Sequence, residues 1–160
     1  MIPAIPVVLA ATDFSALADA CVPYAYSIVD EGGTVHLIHV VEIVEPLVQP
    51  NPLYAHYVPG RAPTAEERYQ QHADLAARLG EMIPPEVQSR SIRTEVHVVE
   101  GDEAAACIVE AAERLDVSVV CVGSQGRTGL IGALLGSVAR EVVRDSRRPV
   151  FVVRSPEPKS

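Results

Sequence analysis

Two segments of this chain hold residues whose types and spacing can do chemistry. The first is Gly123-Ser124-Gln125-Gly126-Arg127-Thr128-Gly129, continuing through Gly132 to Gly136-Ser137-Val138. Glycines admit positive φ and let backbone N–H groups come close to a ligand. A helix expected to begin near Ser137 would offer its N-terminus to an anion. Ser124 and Ser137 add hydroxyls, and Arg127 is the only positive charge inside the segment. The plainer reading is a flexible connection with Ser137 as a cap. The second segment is Thr12-Asp13-Phe14-Ser15. Asp13 is either a helix-entry acid that complements the macrodipole or a carboxylate that accepts hydrogen bonds from a ribose. Spacing alone leaves both open.

Other candidates carry less. His36 and His39 lie three apart on an expected strand and so face opposite sides, which argues against a metal shared between them. His56 and His72 are isolated. Cys121 sits among apolar strand neighbours, a poor setting for a nucleophile. The three cysteines (Cys21, Cys107, Cys121) are unclustered and read as reduced core residues. Glu66-Glu67, Glu110-Glu113 and Arg147-Arg148 read as solvated helix faces and ends. The only lysine is Lys159, so a GxxxxGK[ST] phosphate loop and an internal Schiff-base lysine are both excluded.

The elements that must position these residues follow from periodicity. Val7–Ala11 is a solid apolar run, the mark of a strand buried on both faces. Ser15 can cap a helix with Ala18, Cys21, Val22, Ala25, Ile28 and Val29 on one stripe, kinked or loosened at Pro23 and ended by Gly32-Gly33. Val35–Ile43 is a second strand. The stretch 44–63 holds five prolines and is expected to be a lid or binding loop, with Tyr54, His56 and Tyr57 folding towards the site or else packing in the core. Thr64 and Glu67 form a capping box for a helix with Tyr69, His72, Ala73, Ala76, Leu79 and Ile83 on its apolar stripe, stopped by Pro84-Pro85. A strand over Ile92–Val99, a helix after Gly101-Asp102, a strand over Val117–Val122, the glycine-rich segment, a helix and the strand Val150–Val153 complete the chain. Such alternation predicts a single α/β domain, a doubly wound five-stranded parallel sheet with helices on both faces, of Rossmann-like type. The domain is expected over 1–155, with 156–160 a polar tail.

Composition narrows the function. Hydrophobic residues make up 48% and charged residues 21%, enough for a full core. A formal charge of −8 without tryptophan suits neither a nucleic-acid groove nor a stacking platform. No apolar run reaches membrane-spanning length, and the N-terminus lacks a basic stretch before its apolar run, so a cytoplasmic location is expected.

Taken together, these residues resemble the universal stress protein family. Gly123-x2-Gly126-x9-Gly136-Ser137 matches that family's G-x2-G-x9-G-[ST] nucleotide motif with the spacing kept throughout. Asp13-Phe14-Ser15 after the first strand, His39-Val40 closing the second and Arg147-Arg148-Pro149-Val150 before the last extend the likeness over nearly the whole chain. Ala11 and Gln125 depart from it, standing where some ATP-binding members have Pro and where His is frequent. The resemblance implies an adenine-nucleotide alpha hydrolase-like fold. It implies that Gly123, Gly126, Gly136 and Ser137 hold phosphates and that Asp13 and Val40 hold ribose and adenine. Val122 and Ser124 would line the same pocket, Val138 the first helical turn behind it, and Arg127 completes the candidate set. The function implied is ATP binding, with Mg²⁺ alongside, by a nucleotide-dependent stress-response regulator that is at most a weak ATPase. A true enzyme on the same scaffold is the alternative, though the SGGxDS and HxGH patterns expected of such enzymes are absent. A dimeric interaction module with an empty pocket is a third reading. No catalytic or metal-binding residue is assigned. The uncharged apolar strand 150–153 is expected at a sheet edge, pairing with a second copy, as the resemblance also implies.

Overall fold

The computed structural model describes residues 1–43, 63–125 and 135–154. Of the expected lid over 44–63, residues 44–62 lie outside the described residues, as do the loop residues Gly126 and Arg127 and the tail. Five strands form one all-parallel sheet in the order β3-β2-β1-β4-β5. They are β1 (Val7–Ala11), β2 (Thr34–Glu42), β3 (Arg93–Gly101), β4 (Val119–Gly123) and β5 (Val150–Val153). The chain winds outward from β1 to β3, then returns to the other side of β1, so the strand order reverses between β1 and β4.

Both faces of the sheet's centre are covered, which is why β1 and β4 read as solid apolar runs, whereas the edge strand β3, with Arg93, Glu95, Val96 and Glu100 exposed, reads as an alternation. Val8, Ala10, Val35, Leu37 and Cys121 face one cluster, with Cys21, Val22, Ala25 and Leu79 from α2 (Cys21–Ile28) and α3 (Ala65–Glu81). Leu9, Ala11, Ile38, Val120 and Val122 face the other, with Ile108, Ala112, Ala139 and Val142 from α4 (Ala104–Arg114) and α5 (Ser137–Asp145). Ser118, the one polar residue in its run, is accounted for: its hydroxyl accepts the Val7 amide at 3.4 Å while its own amide donates to Val7 O at 2.8 Å.

Several local expectations change. The helix after Ser15 is two helices, α1 (Ala16–Asp19) and α2, parted at Ala20. Pro23 is the third residue of α2, where no intrahelical amide bond is lost; a helix running straight through would have set its ring against the carbonyl four residues back. The capping box of α3 is present, with Thr64 N to Glu67 Oε2 at 2.7 Å and Glu67 N to Thr64 Oγ1 at 3.2 Å. Its apolar stripe is turned from the expected one: Leu75, Ala76 and Leu79 point inward, whereas Tyr69 is 72% exposed and Ala73 also faces water. Against the sheet the helix packs mainly on β2 and the edge strand β3, so its first turns have little sheet beneath them. His72 is paired, its Nε2 2.9 Å from Glu100 Oε1. Arg148, expected as a solvated end, joins Glu113 (3.3 Å) and Asp116 (2.8 Å), fixing the approach to β5 against the end of α4. Cys107 is half-buried on α4 rather than a core residue; all three cysteines are free thiols.

The sequence pattern gives no sign of the 3-10 helix Pro85–Arg90. It delivers Arg90 to the C-terminal end of α2, where the guanidinium donates to Tyr26 O and, at 2.7 Å, to Val29 O. These carbonyls have no partner within their helix. Arg90→Ala is therefore expected to lower stability by about 1.5–3 kcal/mol in urea unfolding, and Arg90→Lys, lacking the fork, to restore only part of it. An alanine variant as stable as the parent chain would show that water caps α2 equally well.

Candidate functional site

In open parallel sheets the crevice beside the strand-order reversal, at the carboxyl ends, is where ligands sit. Here that is the end of β1 beside the end of β4, with Ala11 paired to Val122. The segment leaving β1 is tightly bonded. Thr12, 6% exposed, donates its amide to Ile38 O (3.0 Å) and accepts the Phe14 amide on Oγ1 (2.9 Å), while the same hydroxyl bonds to Asp19. Thr12 O accepts from His39 Nδ1 at 2.9 Å, which places that ring's proton on Nδ1. Asp13 Oδ1 accepts the Ser15 amide at 2.9 Å, and Ser15 Oγ accepts the Ala18 amide at 3.2 Å as the cap of α1. The helix-entry role of Asp13 is thus real, and its half-buried carboxylate also stands at the rim of the crevice.

Phe14 adopts φ +63°, a left-handed backbone that side chains rarely take. Its ring packs against His39, centroids 4.5 Å apart, and carries the Arg78 guanidinium 4.1 Å from its centroid. These contacts stabilise the turn and bring α3, β2 and the β1 end together. No local spacing pointed to Arg78 or to the left-handed Phe14, because the partners come from three separate elements.

Across the crevice β4 ends at Gly123. A Cβ there would lie 2.5 Å from Leu17 O and 2.7 Å from Ala18 Cα. The glycine therefore serves the close approach of α1 to the sheet; it does not serve positive φ, which among the described glycines only Gly32 adopts. Ser124, 8% exposed, donates its amide to Val153 O (2.7 Å), and its carbonyl accepts the Gly136 amide (2.7 Å). That second bond brings the start of α5 back to the end of β4. Gly136, rather than Ser137, is the N-cap, with φ −67° and ψ 165°, and among the described residues no side chain caps this helix. Ser137 and Val138 are exposed in its first turn.

The structure thus gathers Asp13, Gly123, Ser124, Gly136, Ser137 and Val138 at one end of the sheet. Val40 stands on β2 two residues beyond Ile38, and Val122 is buried in the core below, so its side chain packs with Ala11 and Ala139. Burial pushes the Cys121 thiol up to about 12 and Cys21 higher still, leaving neither as a thiolate nucleophile.

The chain matches the model of the universal stress protein family over residues 5–154. It is similar to a universal stress protein of Methanocaldococcus jannaschii, 31% identical over 113 residues, which are 66% of each chain. It matches 31% of the length of a Mycolicibacterium smegmatis universal stress protein at 38% identity. The chain thus spans less than two thirds of these curated relatives. Among solved structures it shares its fold with a universal stress protein of Lactobacillus plantarum (TM-score 0.73, 17% identity, 96% of this chain and 100% of that one). The universal stress protein of Archaeoglobus fulgidus in complex with dAMP also matches (0.56, 19%, 96% and 100%). So does a family member from Arabidopsis thaliana with AMP bound (0.60, 13%, 97% and 94%).

The crowding at position 123 makes a prediction that needs no ligand. Gly123→Ala is expected to cost about 1–3 kcal/mol, read as an earlier urea midpoint in nucleotide-free buffer. A midpoint equal to that of the parent chain would mean that α1 moves aside freely.

Proposed function

This chain belongs to the universal stress protein family, and from that premise we propose that it binds an adenine nucleotide, ATP with Mg²⁺, at the carboxyl ends of β1 and β4. The observation that carries the reading is the 2.7 Å bond from Gly136 N to Ser124 O, which sets a side-chain-uncapped helix N-terminus beside the β1–β4 crevice. Free amides at a helix start attract phosphate oxygens through hydrogen bonding and the macrodipole. The first amides of α5 and the Ser137 hydroxyl make a donor set that fits a phosphate group, to which the family's glycine motif adds Gly126. Asp13 accepts from the ribose, and the main chain at Val40 meets the base. Gly123 and Ser124 form the floor, Val122 the apolar layer beneath it, and Val138 flanks the phosphates, while Arg127 enters the set on its sequence position alone. Mg²⁺ takes its ligands chiefly from phosphate and water, so when bound it neutralises phosphate charge while asking little of the chain. The dAMP and AMP bound by the Archaeoglobus and Arabidopsis relatives support the adenine part of the reading.

The same residues argue for a regulator over an efficient enzyme. Among the described residues at the crevice no acid–base pair stands ready, since Asp13 and Asp19 are engaged in the turn after β1. The function proposed is a nucleotide-dependent stress-response regulator, at most a weak ATPase. Gly126→Val is expected to weaken ATP by about tenfold or more while far-UV circular dichroism stays native. Asp13→Ala should weaken ATP but hardly change the binding of inorganic triphosphate, because its contact is to the sugar. ATP titrations unchanged by the valine would remove the loop from the site.

The oligomeric part of the proposal rests on β5. Among the described strands it pairs only with β4 and so forms a sheet edge, and Phe151, 38% exposed, lies 6.1 Å from Tyr24 between ring centroids. An uncharged apolar edge is a template for pairing, and a two-fold partner strand would bury Val150, Phe151 and Val152. Light scattering is expected to give a dimer for the parent chain and monomer or aggregate for Val152→Pro, which removes a ladder donor. A parent chain that is monomeric at micromolar concentration would sink the dimer.

A further inference from the structure

We propose that His36, His97 and Glu95 form a binding site for one divalent transition-metal ion of the zinc class, between β2 and β3 on the sheet face covered by α4. The nucleotide reading is not needed for this. The parallel register sets His36 opposite Glu95 and Ile38 opposite His97, so the three side chains share one face. His36 Nδ1 lies 2.9 Å from His97 Nε2 and 3.5 Å from Glu95 Oε2, and the three donor atoms all fall within 4.8 Å of one another. Donors about 2.0–2.1 Å from a tetrahedral zinc stand roughly 3.3–3.4 Å apart. The His–His pair needs to open by only a few tenths of an ångström, and the His–Glu pair is already at that spacing.

The chemistry of the donors agrees. Two imidazoles and one carboxylate suit zinc and its neighbours better than calcium or magnesium, and three protein ligands leave one position for water. Metal binding needs neutral imidazoles. Burial, foremost, holds both histidines below their ordinary value, and Arg114 of α4 adds to this, while Glu95 opposes it. In the ion-free pair one nitrogen donates to the other; taking up the ion moves that proton to the far nitrogen of the same ring and leaves two lone pairs facing the metal. His36 is 6% exposed and rigidly placed, whereas the Glu95 side chain is 59% exposed on the edge strand, giving an ion a way in.

The test is a titration of the whole chain with Co²⁺ and Zn²⁺, without nucleotide. One Co²⁺ per chain is expected, with the visible absorption of a four-coordinate site, displaced by Zn²⁺, together with Zn²⁺-induced shifts of the His36 and His97 ring signals in NMR. His97→Ala and Glu95→Gln should each weaken Co²⁺ at least tenfold. Glu95 is exposed, so its glutamine variant keeps the fold and the comparison stands if the histidine variant does not. A parent chain that takes up no Co²⁺, or uptake unchanged by Glu95→Gln with unshifted histidine signals, would overturn the site and leave a hydrogen-bonded histidine pair.

Discussion

Water does not reach the middle of β1. Val8, Leu9 and Ala10 have 0% exposure, with β2 bonded along one edge, β4 along the other, and helices over both faces. A strand in that position can carry only apolar side chains along its length, because any polar group there would need a partner that the neighbouring strands and helices do not offer. Polar chemistry is therefore pushed to the strand ends. Because β2 and β4 take opposite sides of β1, the connections part to opposite faces and leave an opening at the carboxyl ends.

What happens at those ends follows from how closely two backbones approach. With no side chain on Gly123, the first turn of α1 settles against the end of β4 at a separation that a Cβ would forbid. The same turn is fastened from the other side by Thr12, which bonds to β2, to Phe14 and to Asp19. Phe14 can remain in a left-handed conformation because His39 and Arg78 hold its ring from two elements. Backbone strain of that kind costs on the order of 1–3 kcal/mol and persists only where its surroundings over-determine it.

Much of this was legible in the residues. Solid apolar runs marked β1 and β4 because burial on both faces leaves no alternation, alternation marked the half-exposed edge strand β3, and Thr64 with Glu67 marked the start of α3 because a capping box is local. The glycine spacing and Asp13 located one end of the sheet. The remainder depends on partners distant in sequence. Nothing near Arg90 says that it caps α2, 61 and 64 residues away. Gly123 looks like a ligand glycine in sequence, and only packing reveals the helix against it. Tyr69 shows the opposite failure: helical periodicity set it on the apolar stripe, but α3 overhangs the sheet there. His36 and His97, 61 residues apart, meet only through the strand register. Short spacing instead sets His36 beside His39, which lie on opposite faces of the sheet.

The electrostatics then divide by range. A formal charge of −8 repels nucleotides and attracts metal ions at a distance, but that field is screened beyond about 8–10 Å in physiological salt. Within that length local dipoles decide. In the two proposed sites, the start of α5 would offer amides to an anion at the end of the sheet, and the His36–His97 pair would offer lone pairs to a cation on its face, under α4. Positions 36, 38 and 40 of β2 lie on the same side of one strand, so the imidazole of His36 and the residue that would meet the base are separated only by Ile38, which is fully buried. Close-packed interiors transmit displacement instead of absorbing it. If an ion at His36 and a nucleotide at Val40 each shifted this strand, their coupling would be reciprocal: the factor by which either ligand changed the affinity for the other would be the same in both directions.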